Sequence, residues 1–134
     1  MKVSDLTGAQ LDYWVAKAQG WIKTRSQYDD KPLLWDTGGG FYRIEGVAGA
    51  EGDERWRPST WWGHGGPIIE REQIAIYHDY EHWLAVMPGA ISYPGDVDHD
   101  DVTAVFDGHG GPTPLIAAMR AFVASKFGEE VPDV

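Results

Sequence analysis

The sequence has no cysteine, so disulfides, thiolate metal sites and thiol nucleophiles are all excluded. It has no long uninterrupted apolar run, which argues against a membrane-spanning helix. The opening Met1-Lys2-Val3-Ser4-Asp5 leads into a polar amphipathic stretch without the apolar core of a secretory signal, so a cytoplasmic location is expected. Cations are scarce: 11 Lys and Arg stand against 21 Asp and Glu, for a formal charge of −10. From Glu72 to Met119 there is no Lys or Arg at all. That stretch holds eight acids (Glu72, Asp79, Glu81, Asp96, Asp98, Asp100, Asp101 and Asp107) and four of the five histidines. Such a field disfavours direct contact with nucleic-acid phosphates, which need cationic neutralisation.

What is present fits one domain over residues 1–134 with room for a hydrophobic core. Thr7-Gly8-Ala9-Gln10 has capping-box spacing, and Leu11, Trp14, Val15 and Ala18 recur on one helical face before a stop at Gly20. Leu33-Leu34-Trp35 and Phe41 to Glu45 read as short strands around the turn Gly38-Gly39-Gly40. The segment 46–55, rich in Gly, Ala and acid, is expected to be mobile. Pro67 is read as the first residue of a short helical turn through Glu70. Ile74 to Tyr77 and Trp83 to Val86 read as an antiparallel hairpin; Ala90 to Tyr93 and Val102 to Phe106 are further strand candidates. Thr113 and Pro114 open a last helix whose stripe is Leu115, Ile116, Met119, Phe122, Val123 and Phe127. It ends at Gly128, with a frayed tail over 129–134. The expected class is α+β: a small antiparallel sheet with an N-terminal and a C-terminal helix packed on one face.

Three segments carry a resemblance. They are Leu6-Thr7-Gly8 through Leu11-Asp12 to Val15-Ala16-Lys17-Ala18 and Gly20; Pro58-Ser59-Thr60 with Trp62 and Gly65 to Glu72; and Gly111 to Val123 with Ser125 to Gly128. Together they resemble the NinX-like family of phage-encoded proteins, from the start of the chain to its end. The resemblance implies a phage or prophage gene expressed in the bacterial cytoplasm. It supplies no assigned activity and no catalytic residues.

Candidate chemistry is sparse. Asp96, Asp98, Asp100 and Asp107 match positions 1, 3, 5 and 12 of a calcium loop, but position 6 is Asp101 where Gly is required, so a solvated acidic turn is the better reading. His78 and His82 bracket the hairpin without a third ligand at metal spacing. No serine has a nucleophile-elbow setting, so His64-Gly65-Gly66 does not read as a hydrolase oxyanion hole. No cofactor and no catalytic constellation is expected. His64-Gly65-Gly66-Pro67 recurs as His109-Gly110-Gly111-Pro112. Read as two adjacent turns, each opening a helix, the pair frames a candidate binding surface of Trp62, Gly65, Gly66, Pro67, Arg71, Gly111, Pro112 and Arg120. Trp62 would be the aromatic wall, with Arg71 or Arg120 the counter-charge. Trp61-Trp62 are adjacent, so an extended chain sends them to opposite sides, and an exposed Trp beside Arg57 has interface composition. The function that follows is an accessory protein acting by protein–protein binding or self-association, with a host or phage partner. The alternatives are a cation- or small-ligand-binding domain, or an acidic decoy of a nucleic-acid-binding protein.

Overall fold

The computed structural model describes residues 1–25, 33–44, 55–79, 81–88, 91–92, 105–106 and 108–133. The first helix, α1 (Gly8–Ala18), buries Leu11, Asp12, Trp14, Val15 and Ala16. Thr7 holds the extended cap conformation, but its side chain makes no capping bond. The turn into the helix is made at Gly8, whose φ of +52° suits a residue without a Cβ. The far end closes as a Schellman motif: Gly20, at φ +81°, donates to the Lys17 carbonyl and Trp21 donates to that of Ala16.

Two small antiparallel sheets follow, where the sequence suggests one. Strands β1 (Ile22–Arg25), β2 (Leu33–Asp36) and β3 (Phe41–Arg43) form the first, in sequential order. Lys23, Trp35 and Tyr42 share a row, so they lie on one face; Trp35 is buried and packs on Tyr13 of α1. The second sheet joins β4 (Ala75–His78), β5 (Trp83–Val86) and β8 (His109–Gly111), and β6 (Ile91–Ser92) with β7 (Val105–Phe106) makes a two-stranded ribbon between them in sequence. The expected hairpin is therefore present, with Ala75 opposite Val86 and His78 opposite Trp83.

Two readings need correction. Helix α2 (Trp62–Glu72) begins five residues before Pro67, which lies in its interior. Intrinsic propensity opposes this helix: glycine costs about 1 kcal/mol and proline about 3 kcal/mol in a helix interior, and this segment carries three of the first and one of the second. Tertiary packing overrides the cost. A Cβ on Gly65 would lie 2.5 Å from the Pro58 carbonyl oxygen and 2.6 Å from Leu115 Cδ2, so the helix seats there only because the side chain is absent. Nor is Gly110-Gly111 a turn. It is strand β8 pressed against the last helix, where a Cβ on Gly111 would meet the Ala117 nitrogen at 2.8 Å.

That last helix, α3 (Pro114–Phe127), is the centre of the molecule. Thr113 accepts from the Ile116 N–H at 3.1 Å, Pro114 occupies the first turn and Gly128, at φ +85°, ends it, as the sequence indicates. Its burial is nearly circumferential: Leu115, Met119, Phe122 and Val123 are covered, and so are Ala117, Ala118, Ala121 and Ala124. α1, α2 and strands β4, β5 and β8 all pack around it. Phe127 departs from the stripe and is exposed, with one edge on Trp14. The tail also departs from expectation. Glu129 accepts from the Val3 N–H, Val131 donates to Met1, and Val131 is buried. Residues 46–54 and 96–104, where the mobile loop and most of the acidic segment were placed, lie outside the described residues. Among the described residues no helix is long and apolar enough to cross a membrane.

Candidate functional site

Helix α2 separates two depressions, and the residues singled out in the sequence divide between them. Its N-cap, Trp61, is extended at φ −126° and ψ 121°, and its carbonyl receives the His64 and Gly65 N–H groups at 3.1 and 3.0 Å. The extended cap sends Trp61 and Trp62 in different directions, as adjacent residues require. Trp61 folds back over the helix start, edge-on to His64 at 4.5 Å and under the Arg57 guanidinium at 4.9 Å. Gly63 makes room for it, since a Cβ there would meet the indole at 2.6 Å. Trp62 turns the other way and is 53% exposed.

The groove on the Trp62 side has a volume of about 260 Å³ and lies between the starts of α2 and α3. Trp62 and Thr60 form one wall, and Thr113, Pro114 and Ile116 form the other. Two helix starts do therefore lie side by side with Trp62 as an aromatic wall. They are brought there by Gly65 packing on Leu115, and the α2 start is at Trp62 where the sequence reading put it at Pro67. Within the helices the Trp62, Gly63 and Leu115 N–H groups have no intrahelical acceptor.

The second depression, about 180 Å³, lies on the other flank of α2 against the end of α1 and the first sheet. Gly63, Pro67 and Arg71 form the helix side of it, and Trp21, Tyr42 and Trp56 the opposite wall. The rings are in mutual contact: Trp21 stacks on Tyr42 at 5.5 Å and 18°, and Trp56 lies 4.4 Å from Trp21 and 4.8 Å from His64. His64 is buried, and its Nδ1 accepts from the Arg57 N–H at 3.0 Å. Arg71 is held at the mouth by Gln19 Oε1 at 3.2 Å and Glu72 Oε1 at 3.4 Å.

Pro67 and Arg71 thus fall on one side of α2 and Trp62 on the other, so they do not make one surface. Gly65 and Gly111 are buried packing positions, whereas Pro112 is exposed. Arg120 is no counter-charge for a ligand. It is buried, and its Nε and Nη1 donate to the Leu6 and Gly110 carbonyls at 2.9 Å each; desolvation lowers its pKa, with Asp5 opposing. The aromatic wall around Trp56 was not read from the sequence. Its rings come from three segments, and only the fold assembles them.

His78 packs edge-on to Trp83, while His82 Nδ1 lies 3.4 Å from Asp79. Among the described residues no group of three potential ligands stands at metal distance. The Asp79 carboxylate accepts from the backbone N–H groups of Glu81 and His82, which hold its pKa below the usual carboxylate range.

No curated protein matches this chain. The family model described as bacteriophage P22 NinX matches residues 2–126, which takes in both depressions and all three helices except the final residue of α3. The chain belongs to the bacteriophage P22 NinX family.

Proposed function

We propose that this protein is a non-enzymatic phage or prophage accessory protein that binds a protein partner in the bacterial cytoplasm, with Trp62 as the anchor. Family membership supports the phage origin. The observation that carries the binding reading is the 53% exposure of Trp62 at the rim of an apolar groove. Among the described residues Trp61 at 39% and Trp62 at 53% are the exposed tryptophans, and of these two only Trp62 lines the groove. A large exposed ring at the rim of an apolar groove has the composition of an interface hot spot, where Trp, Tyr and Arg dominate binding energy.

A photo-crosslinking residue placed at Thr60, on the groove wall, tests this in the phage-infected host. The reading expects one discrete adduct that persists at high salt, because the contact is apolar. It also expects Trp62→Ser to abolish the adduct, since a truncated hot spot costs about 2 kcal/mol or more. An adduct of twice the chain's own mass would assign the groove to self-association. A diffuse smear, or an adduct indifferent to Trp62→Ser, would overturn the proposal.

A further inference from the structure

The second depression is built for a small planar ligand and stands apart from the groove at Trp62. Its volume of about 180 Å³ is below the roughly 300 Å³ at which sites for drug-sized molecules begin, so it suits a single ring system. The wall is aromatic and fixed by its own contacts, with Trp21, Tyr42 and Trp56 in mutual ring contact. The lining also supplies polar atoms. Pro67 has no amide hydrogen, so the Gly63 carbonyl one turn earlier lacks the donor a helix normally provides; both residues line the depression. Trp56 Nε1 and Gln19 Nε2 are buried donors without an acceptor, and both residues also line it. Buried donors without acceptors are rare in native proteins, and each calls for an explanation. At the mouth, Arg71 spends Nε on Glu72 and Nη2 on Gln19. The guanidinium also lies over the Phe122 ring at 5.9 Å, and its Nη1 donates no hydrogen bond among the described residues, which leaves that nitrogen to meet an anion.

We infer that this depression binds a planar heteroaromatic ring bearing an anionic group, the combination a nucleoside monophosphate offers. The ring would lie against Tyr42 and Trp21, its polar edge toward α2, with the anionic group on Arg71. Bases stack on aromatic side chains irrespective of identity, whereas an Arg–phosphate contact is directional and charge-assisted.

The test is titration of the full chain with each of the four common nucleoside monophosphates, followed through the tryptophan indole N–H resonances and by calorimetry. At least one should bind with a Kd below about 1 mM and shift the Trp56 indole signal while leaving that of Trp62 unmoved. The matching nucleoside should bind about 10-fold more weakly, and Arg71→Ala should bring the monophosphate to the same level. Trp62→Ser should leave this binding unchanged, which separates it from the partner-binding reading. No shift at Trp56 by about 5 mM ligand, equal affinity of nucleoside and monophosphate, or an equal response to inorganic phosphate alone would each overturn the inference.

Discussion

At the scale of single residues, Arg120 shows how a charged side chain becomes structural. Buried guanidinium groups persist where their hydrogens find acceptors, and here two carbonyls, from Leu6 before α1 and Gly110 on β8, receive them. Arg120→Ala removes the donor to both oxygens and should destabilise the protein by about 2–4 kcal/mol, read as a fall in the denaturant midpoint. Arg120→Lys should recover only part of that loss, because an ammonium lacks the rigid planar fork that holds two donors on two separate carbonyls. Asp79 is the opposite case, an exposed carboxylate that organises a turn. Its pKa lies below the ordinary range because the backbone N–H of Glu81, then that of His82, donates to the charged form. A depressed carboxylate contributes stability above its unfolded-state pKa and loses it as pH falls through the folded-state value. The Glu81 and His82 amide resonances should therefore move together on acidification, with a midpoint below that of a free aspartate. A midpoint at the ordinary aspartate value would contradict the assignment.

At the scale of elements, α2 separates what sequence can reveal from what it cannot. Two neighbouring glycines in this helix should respond oppositely to the same change. A Cβ at Gly65 collides with Pro58 and Leu115, so Gly65→Ala should cost about 1–3 kcal/mol from overpacking despite the gain in helix propensity. A Cβ at Gly66 meets only Trp62 Cε3, at 3.9 Å, so Gly66→Ala should stabilise by up to about 1 kcal/mol. Thermal or denaturant unfolding of the two variants reads both signs. The elements with strong local signals were legible: α1 and α3 from apolar spacing and end residues, and the β4–β5 hairpin from alternation around a short loop. The first half of α2 is hidden in the sequence because Gly63, Gly65, Gly66 and Pro67 all argue locally against helix. The reason for the glycines lies in residues distant along the chain, Pro58 and Leu115 among them. Of the candidate surface, exposure within the Trp61-Trp62 pair was legible, since adjacent rings in an extended chain point to opposite sides, and both rings are exposed. The division of Pro67 and Arg71 from Trp62 was not, because it follows from α2 being continuous.

At the scale of the whole molecule, the chain's two ends brace one another. The N-terminal ammonium donates to the Val131 carbonyl at 2.7 Å, the backbones of Lys2 and Glu130 pair in an antiparallel β-bridge, and His109 Nε2 reaches the Glu129 carboxylate at 3.0 Å. Removing 129–134 uncovers the pocket of Val131 and frees these bonds, so it should cost about 2–4 kcal/mol, read as a lower unfolding midpoint. A truncated chain as stable as the parent would mean that the tail adds nothing. The same molecule keeps Trp62 out of this bracing. Trp14, Trp35 and Trp56 are buried, while Trp62 is more than half exposed at the groove between two helix starts. If Trp62 anchors a partner as proposed, its removal leaves the fold intact and abolishes binding. The most direct measurement compares Trp62→Ser with the parent in two readouts on the same preparation: unfolding midpoint, and yield of the adduct formed through a crosslinker at Thr60. The account predicts a midpoint within the roughly 0.5 kcal/mol scatter of surface substitutions and an adduct reduced to background. A large loss of stability, or an adduct formed as efficiently as before, would contradict it.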